Sequence, residues 1–204
     1  MNAELPATGL AGILKSLNGD RAYGIALLVT LALLLAPELD GETARLTMSY
    51  TRDALADHQW WRLLSAHFVH LGLEHAVLNA LGVVLMWALF ARDYSPGRWL
   101  AIYLASCLMV SAGLWFLSPQ IQWYVGASGA LHGVMTAGTL AHLRRRDLDG
   151  WILAVFIVAK LVYEQWLGAL PFAGSPDTVV DAHLYGAIGG GVLALGLRSR
   201  REPA

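Results

Sequence analysis

The sequence predicts an all-α membrane protein, a single polytopic domain of six apolar helices with both termini in the cytoplasm. Three observations predict it. First, 56% of the 204 residues are hydrophobic and 14% are charged, with a mean hydropathy of +0.51, whereas soluble domains carry roughly 25% charge. Second, the apolar residues gather into six segments, each near the ~20 residues that cross a bilayer. Third, Lys and Arg fall in alternate connections between those segments, the bias that sets membrane orientation. The formal net charge of −1 says nothing about nucleic acid, and no basic run is long enough to suggest such a partner. Cys107 is the only cysteine, so no intrachain disulfide is possible.

The segments run Ala22–Pro37, His75–Ala91, Trp99–Leu117, Gly126–Leu143, Trp151–Leu170 and Val179–Leu197. The first has the length of a signal-peptide core, but Pro37 stands where a small-residue cleavage site belongs, and it reads as an uncleaved anchor. Lys15 and Arg21 precede it, Arg92 and Arg98 follow span two, Arg144 to Arg146 follow span four, and Arg198, Arg200 and Arg201 follow span six. The other connections hold Arg45, Arg52 and Arg62 among Asp40, Glu42, Asp53, Asp57 and Asp177. Residues 1–21 and 198–204 are therefore expected to be cytoplasmic and Glu38 to Glu74 to face outward, the latter partly helical around "MSYTRDALADHQWWRLLSAHF". No polar linker divides the chain, so residues 1–204 read as one domain.

Polar side chains inside spans are expensive and face other helices or water, and here they share a level. At 1.5 Å per residue, Ser128 lies about 24 Å above Arg144 and His183 about 22 Å above Arg198. His75 and Asn79 lie about 25 and 20 Å above Arg92. Gly129 and Gly133 on span four, and Gly186 and Gly190 on span six, are spaced as in closely packed membrane helices. Packing these faces together brings Ser128 to His183, the pairing an activated serine requires.

These residues, with "WR" at Trp61–Arg62, "HFVHLGLEHAVLN" from His67 to Asn79, "GASG" from Gly126 and "AHLYGAIGG" from Ala182, resemble the rhomboid intramembrane serine proteases. The string "GASGALHG" and the short chain are similar to the rhombosortase subgroup. The resemblance implies a six-span bundle with Ser128 as nucleophile and His183 as general base. His75, Asn79 and the Ser128 N–H would stabilise the oxyanion. His70 would be structural, and Trp61–Arg62 would shape the outer loop. It implies membrane-anchored substrates, exported proteins ending in a Gly-Gly-containing motif, a hydrophobic helix and a basic tail. The enzyme would sit in a bacterial inner membrane with its site open to the outer, periplasmic side and would need no cofactor. Asp181, two residues from His183, projects elsewhere on the helix, so a Ser–His dyad is expected.

Two residues stand apart. His132 occupies the position where rhomboids commonly carry an aromatic stacked on the catalytic histidine; it is either a packing residue or a second proton carrier. Glu164, four residues from Lys160, forms an ion pair with it or, being level with Ser128 beside the substrate's lateral route, contacts the substrate. There is no His-Glu-X-X-His and no cysteine pair to suggest zinc. The plainer readings are a small residue at a helix crossing for Ser128, a carbonyl-bonded core histidine for His183, and loop ties for His75 and Asn79. The rival functions are a catalytically silent relative that binds membrane proteins and a small transporter. The transporter needs polar residues continuing to the cytoplasmic side, and the spans below Asn79 and His132 are almost wholly apolar.

Overall fold

The computed structural model describes residues 22–170 and 178–200. Lys15, Arg21, Asp177 and Arg201, used above to orient the chain, lie outside the described residues. Among the described residues six long helices are present: α1 (Ala22–Leu35), α5 (Leu73–Phe90), α6 (Pro96–Phe116), α7 (Ser128–Arg145), α8 (Leu148–Leu167) and α9 (Val180–Gly196). The segment after α1 folds into short helices α2 (Gly41–Met48), α3 (Arg52–Ala56) and α4 (Arg62–Ser65), with a 3₁₀ turn at Ala36–Leu39 and another at Ala66–Phe68.

Among the described residues, four stretches are long and apolar enough to cross a membrane: Ala22–Leu39, Leu73–Phe90, Pro96–Phe116 and Leu148–Leu167. α7 and α9 are not among them: α7 carries a more polar composition, which its position among other helices permits, and α9 is short, at 17 residues. α9 lies along α7 and α6 through its Gly, Ala and His face and turns Ile188, Val192 and Leu195 outward, whereas α7 is enclosed by its neighbours. α1, α5 and α8 also turn large side chains outward, with Leu28 67% and Val155 69% exposed. Helices on the rim must match lipid, while helices in the centre can carry Gly, Ser, Thr and His.

The predicted glycine faces meet. A Cβ on Gly186 would overlap the Gly129 carbonyl, and one on Gly190 would overlap the Gly133 backbone. α7 and α9 therefore touch main chain to main chain. Helix limits moved by a few residues where capping decides them: Ser95 accepts the Arg98 N–H and Pro96 opens α6, ahead of the predicted Trp99 start.

The outer segment is held by arginines on carbonyls. Arg62 donates to Ser49 O (2.7 Å), Leu46 O (2.9 Å) and Gln59 Oε1 (2.7 Å). Arg52 donates to Leu114 O (2.6 Å) and Trp115 O (2.8 Å), satisfying the last carbonyls of α6. The only strands among the described residues are β1 (Tyr50–Thr51) and β2 (Trp123–Tyr124), antiparallel with Tyr50 opposite Tyr124. They tie the outer segment to the stretch just before Ser128. His67 and His70, fully buried there, are kept neutral: burial pushes His67 down to about 4, and burial together with nearby His75 pushes His70 to about 3. At the opposite end, Arg145 pairs with Asp93 and Asp147, and Arg144 donates to Leu197 O (2.7 Å) and Leu195 O (3.0 Å). The described basic residues of those connections, Arg98, Arg144, Arg145 and Arg198 among them, thus collect at one pole, away from Ser128.

Candidate active site

Ser128 is the first residue of α7. The turn that delivers it depends on Gly126, whose φ of +117° is a conformation L side chains rarely adopt. A Cβ on Gly126 would also stand 2.9 Å from His75 Cε1, so the missing side chain lets that imidazole lie against the turn. The first N–H groups of a helix have no acceptor within it, and the helix dipole favours negative charge there. The segment "GAS" therefore places a hydroxyl beside backbone donors suited to an anion.

His183, on the first turn of α9, is buried and placed opposite by the glycine contacts. Its Nε2 lies 3.0 Å from Ser128 Oγ. Its Nδ1 lies 2.9 Å from Glu164 Oε2 on α8. An ionised carboxylate only accepts, so Nδ1 carries the hydrogen and the Nε2 lone pair faces the serine hydroxyl.

The other predicted residues gather around this pair. His75 Nδ1 accepts the Leu71 N–H at 3.4 Å, which leaves Nε2–H as a donor beside Gly126. Asn79 is buried one turn below and donates one amide hydrogen to His75 O at 2.9 Å, with a second remaining. A cavity of about 1110 Å³ is bordered by His75, Asn79, Ser128, His132 and His183, with Trp123, Met135, Phe156 and Lys160 also on its walls. His132 stacks on His183, with ring centroids 4.1 Å apart and planes 18° apart. It donates from Nδ1 to Ser128 O at 2.7 Å and does not reach the hydroxyl. The imidazole thus takes the aromatic's stacking place, and the serine proton faces His183 instead.

Glu164 goes beyond both expectations held for it. The ion pair with Lys160 is present, Oε1 to Nζ at 2.5 Å, but the second oxygen faces His183 and the residue is 2% exposed. Both oxygens are engaged and neither is presented to the cavity, so contact with substrate does not fit this geometry. The pair expected as a simple dyad has a carboxylate behind its histidine. The sequence signal was there, since Glu164 was level with Ser128, but rise along a helix gives depth and not direction. Asp181 does project elsewhere, accepting from Ser118 Oγ at 2.6 Å.

His132, Glu164 and His183 are close enough to be weighed as metal ligands. The donor set argues otherwise. Nearly parallel rings cannot aim in-plane lone pairs at one ion, and the Lys160 ammonium already holds the cation's place beside Glu164.

Comparison with known proteins agrees with this architecture. The rhomboid domain matches residues 57–200, a stretch that contains every residue of the site. The chain is 27% identical over 148 residues to "Putative rhomboid protease YdcA" of Bacillus subtilis, covering 72% of each protein. It is 32% identical over 145 residues to rhomboid protease GluP of the same organism, covering 70% of this chain and 27% of that one. It is 32% identical over 155 residues to RHOMBOID-like protein 2 of Arabidopsis thaliana, covering 74% of this chain and 46% of that one. The chain thus spans less than half the length of the latter two. With a rhomboid domain over most of its length, this chain belongs to the rhomboid family of intramembrane serine proteases.

Proposed function

We propose that Ser128 and His183 hydrolyse a peptide bond of a membrane-anchored protein near the outer face of the bilayer. The observation that carries this is the 3.0 Å approach of His183 Nε2 to a serine hydroxyl at a helix N-terminus, on the wall of a cavity of about 1110 Å³. Ser128 Oγ attacks the carbonyl carbon as its proton passes to Nε2. The oxyanion is held by the Ser128 N–H, His75 Nε2–H and the free amide hydrogen of Asn79. The imidazolium then protonates the leaving amine, and water releases the acyl group by the same steps in reverse order. Membrane protein substrates follow from the family.

The finer reading is rhombosortase-type. The string "GASGALHG" and the short chain support substrates with a Gly-Gly-containing C-terminal motif, a hydrophobic anchor and a basic tail. The enzyme then has six spans, with α7 crossing at the centre of the bundle and α9 packed against it, in a bacterial inner membrane with both termini cytoplasmic. The bilayer and the anchored substrate are its partners, and no cofactor takes part.

Ser128→Ala and His183→Ala are each expected to abolish cleavage while the protein still purifies folded, with the double variant no worse than either single one. Labelling by a serine-reactive fluorophosphonate should vanish in Ser128→Ala. Substantial cleavage by purified Ser128→Ala would overturn the assignment, and a wild-type protein that neither labels nor cleaves would identify a silent relative. Mass spectrometry of protein C-termini, with and without the protein, tests the Gly-Gly substrate class.

A further inference from the structure

We infer that Glu164 is a positioning residue for this reaction, the third member of a Ser128–His183–Glu164 triad, held in place by Lys160. The inference rests on the proposed roles of Ser128 and His183. Three features of the geometry carry it. One imidazole is bonded at both nitrogens, Nε2 to Ser128 Oγ at 3.0 Å and Nδ1 to Glu164 Oε2 at 2.9 Å. Glu164 is fully enclosed and its other oxygen meets Lys160 Nζ at 2.5 Å, so its carboxylate cannot swing away from the ring. The three residues come from three different helices, α7, α9 and α8, so no single helix brings them together by its own periodicity.

The chemical consequence has two parts. The acceptor at Nδ1 fixes the tautomer whose Nε2 can take a proton, and it aims the ring, as a buried carboxylate does in the water-soluble triads. When Ser128 gives up its proton, positive charge appears on His183 where little water can solvate it; Glu164 is the counter-charge already in place. Lys160 acts both ways. Its ammonium keeps the buried carboxylate ionised and aimed, yet it repels the imidazolium. The charged and titratable groups around the ring are Glu164 and Lys160 from α8, Ser128 and His132 from α7, and His75 from α5.

The test compares Glu164→Gln, Lys160→Met, the double variant and Ser128→Ala in the full-length protein, with cleavage rates taken across pH. Glu164→Gln keeps the shape and removes the charge. It is expected to lower kcat on the order of 10²-fold or more, with KM nearly unchanged. The acidic limb of its kcat/KM profile moves to lower pH, because the imidazolium has lost its counter-charge and still faces Lys160. Lys160→Met moves that limb the other way, to higher pH, because a repelling charge is gone. Fluorophosphonate labelling at Ser128 slows in Glu164→Gln in step with cleavage. If Glu164→Gln is recovered poorly, Lys160→Met with Glu164→Gln leaves no unpaired buried charge, and the same loss of kcat is expected of it.

Opposite shifts of the acidic limb support the triad. Wild-type kcat and an unmoved limb in Glu164→Gln or in the double variant overturn it and leave a structural ion pair. Unchanged labelling together with a raised KM also overturns it, because that is the behaviour of a substrate contact. Ser128→Ala keeps the two readings apart: if it still cleaves, the nucleophile assignment has failed, whereas an inactive Ser128→Ala beside a fully active Glu164→Gln fails the triad alone.

Discussion

His75 and Asn79 each keep one hydrogen-bond donor in reserve. His75 spends Nδ1 on the Leu71 N–H, and Asn79 spends one amide hydrogen on the His75 carbonyl. A donor held by the fold needs no rearrangement when negative charge develops in front of it, and it acts on the transition state more than on the bound substrate. His75→Ala and Asn79→Ala are therefore expected to lower kcat on the order of 10²-fold each while KM changes little. Steady-state kinetics on a fluorogenic transmembrane substrate checks this. A variant that melts early yet turns over normally while folded would reduce the residue to a loop tie. Asn79 is the sharper test, because its alanine variant loses a bond within one helix and leaves the turn at Gly126 untouched.

At the scale of helices, the α7–α9 contact decides whether a site exists. Gly186 faces the Gly129 carbonyl one residue beyond Ser128 and lies three residues beyond His183. A methyl group there must push the helices apart, and overpacking of this kind typically costs about 1–3 kcal/mol. Gly186→Ala is expected to lower the melting temperature in detergent and to slow fluorophosphonate labelling, because the same displacement opens the Ser128–His183 distance. Gly196→Ala, with nothing near its Cβ, is the control and should behave as wild type. If both variants melt and label alike, the close approach carries no weight in the fold.

Much of this was legible in the sequence because it is one-dimensional. Helical rise put Ser128, His183, His75 and Asn79 on one level, and small residues four apart marked the faces that touch. What escaped needed a second dimension. Glu164 was placed at the right depth, but only the rotation of α8 against α9 decides that its second oxygen meets His183 and not the cavity. Arg52 escaped as well, because it binds main-chain carbonyls, which leave no mark in the sequence; Arg62, which does the same, was legible only through its motif. The Gly, Ser, Thr and His content of spans four and six answers to helix neighbours more than to lipid: α7 is enclosed, and α9 keeps Ile188, Val192 and Leu195 on its outward face.

For the whole molecule, the two poles carry different chemistry. Buried, neutral histidines lie at the Ser128 end and Arg–Asp pairs at the other, while arginines bind carbonyls at both. Cys107 is fully buried, so the native protein should give little thiol background. Glu42→Cys is expected to react with a membrane-impermeant maleimide in intact cells, and Arg146→Cys only after permeabilisation. The reverse pattern would invert the proposed topology and move the site to the cytoplasmic face.

The main-chain seam between α7 and α9 has one more consequence. A gap filled by side chains can be retuned by rotamers, but carbonyls and Cα atoms have none. The spacing of the hydroxyl and the imidazole is thus set by the most rigid kind of joint a protein can make. α1, α5 and α8 show broad apolar faces to their surroundings, the faces on which bilayer thickness or a passing substrate helix would act. A displacement of α1 or α5 would reach Ser128 and His183 only through their neighbours, because both ride on the joined pair. Glu164 is the exception. It rides on α8, so a displacement of that helix would be felt first at His183 Nδ1. Under the proposed mechanism, the reaction's geometry is insulated from the membrane at the nucleophile and exposed to it at the carboxylate.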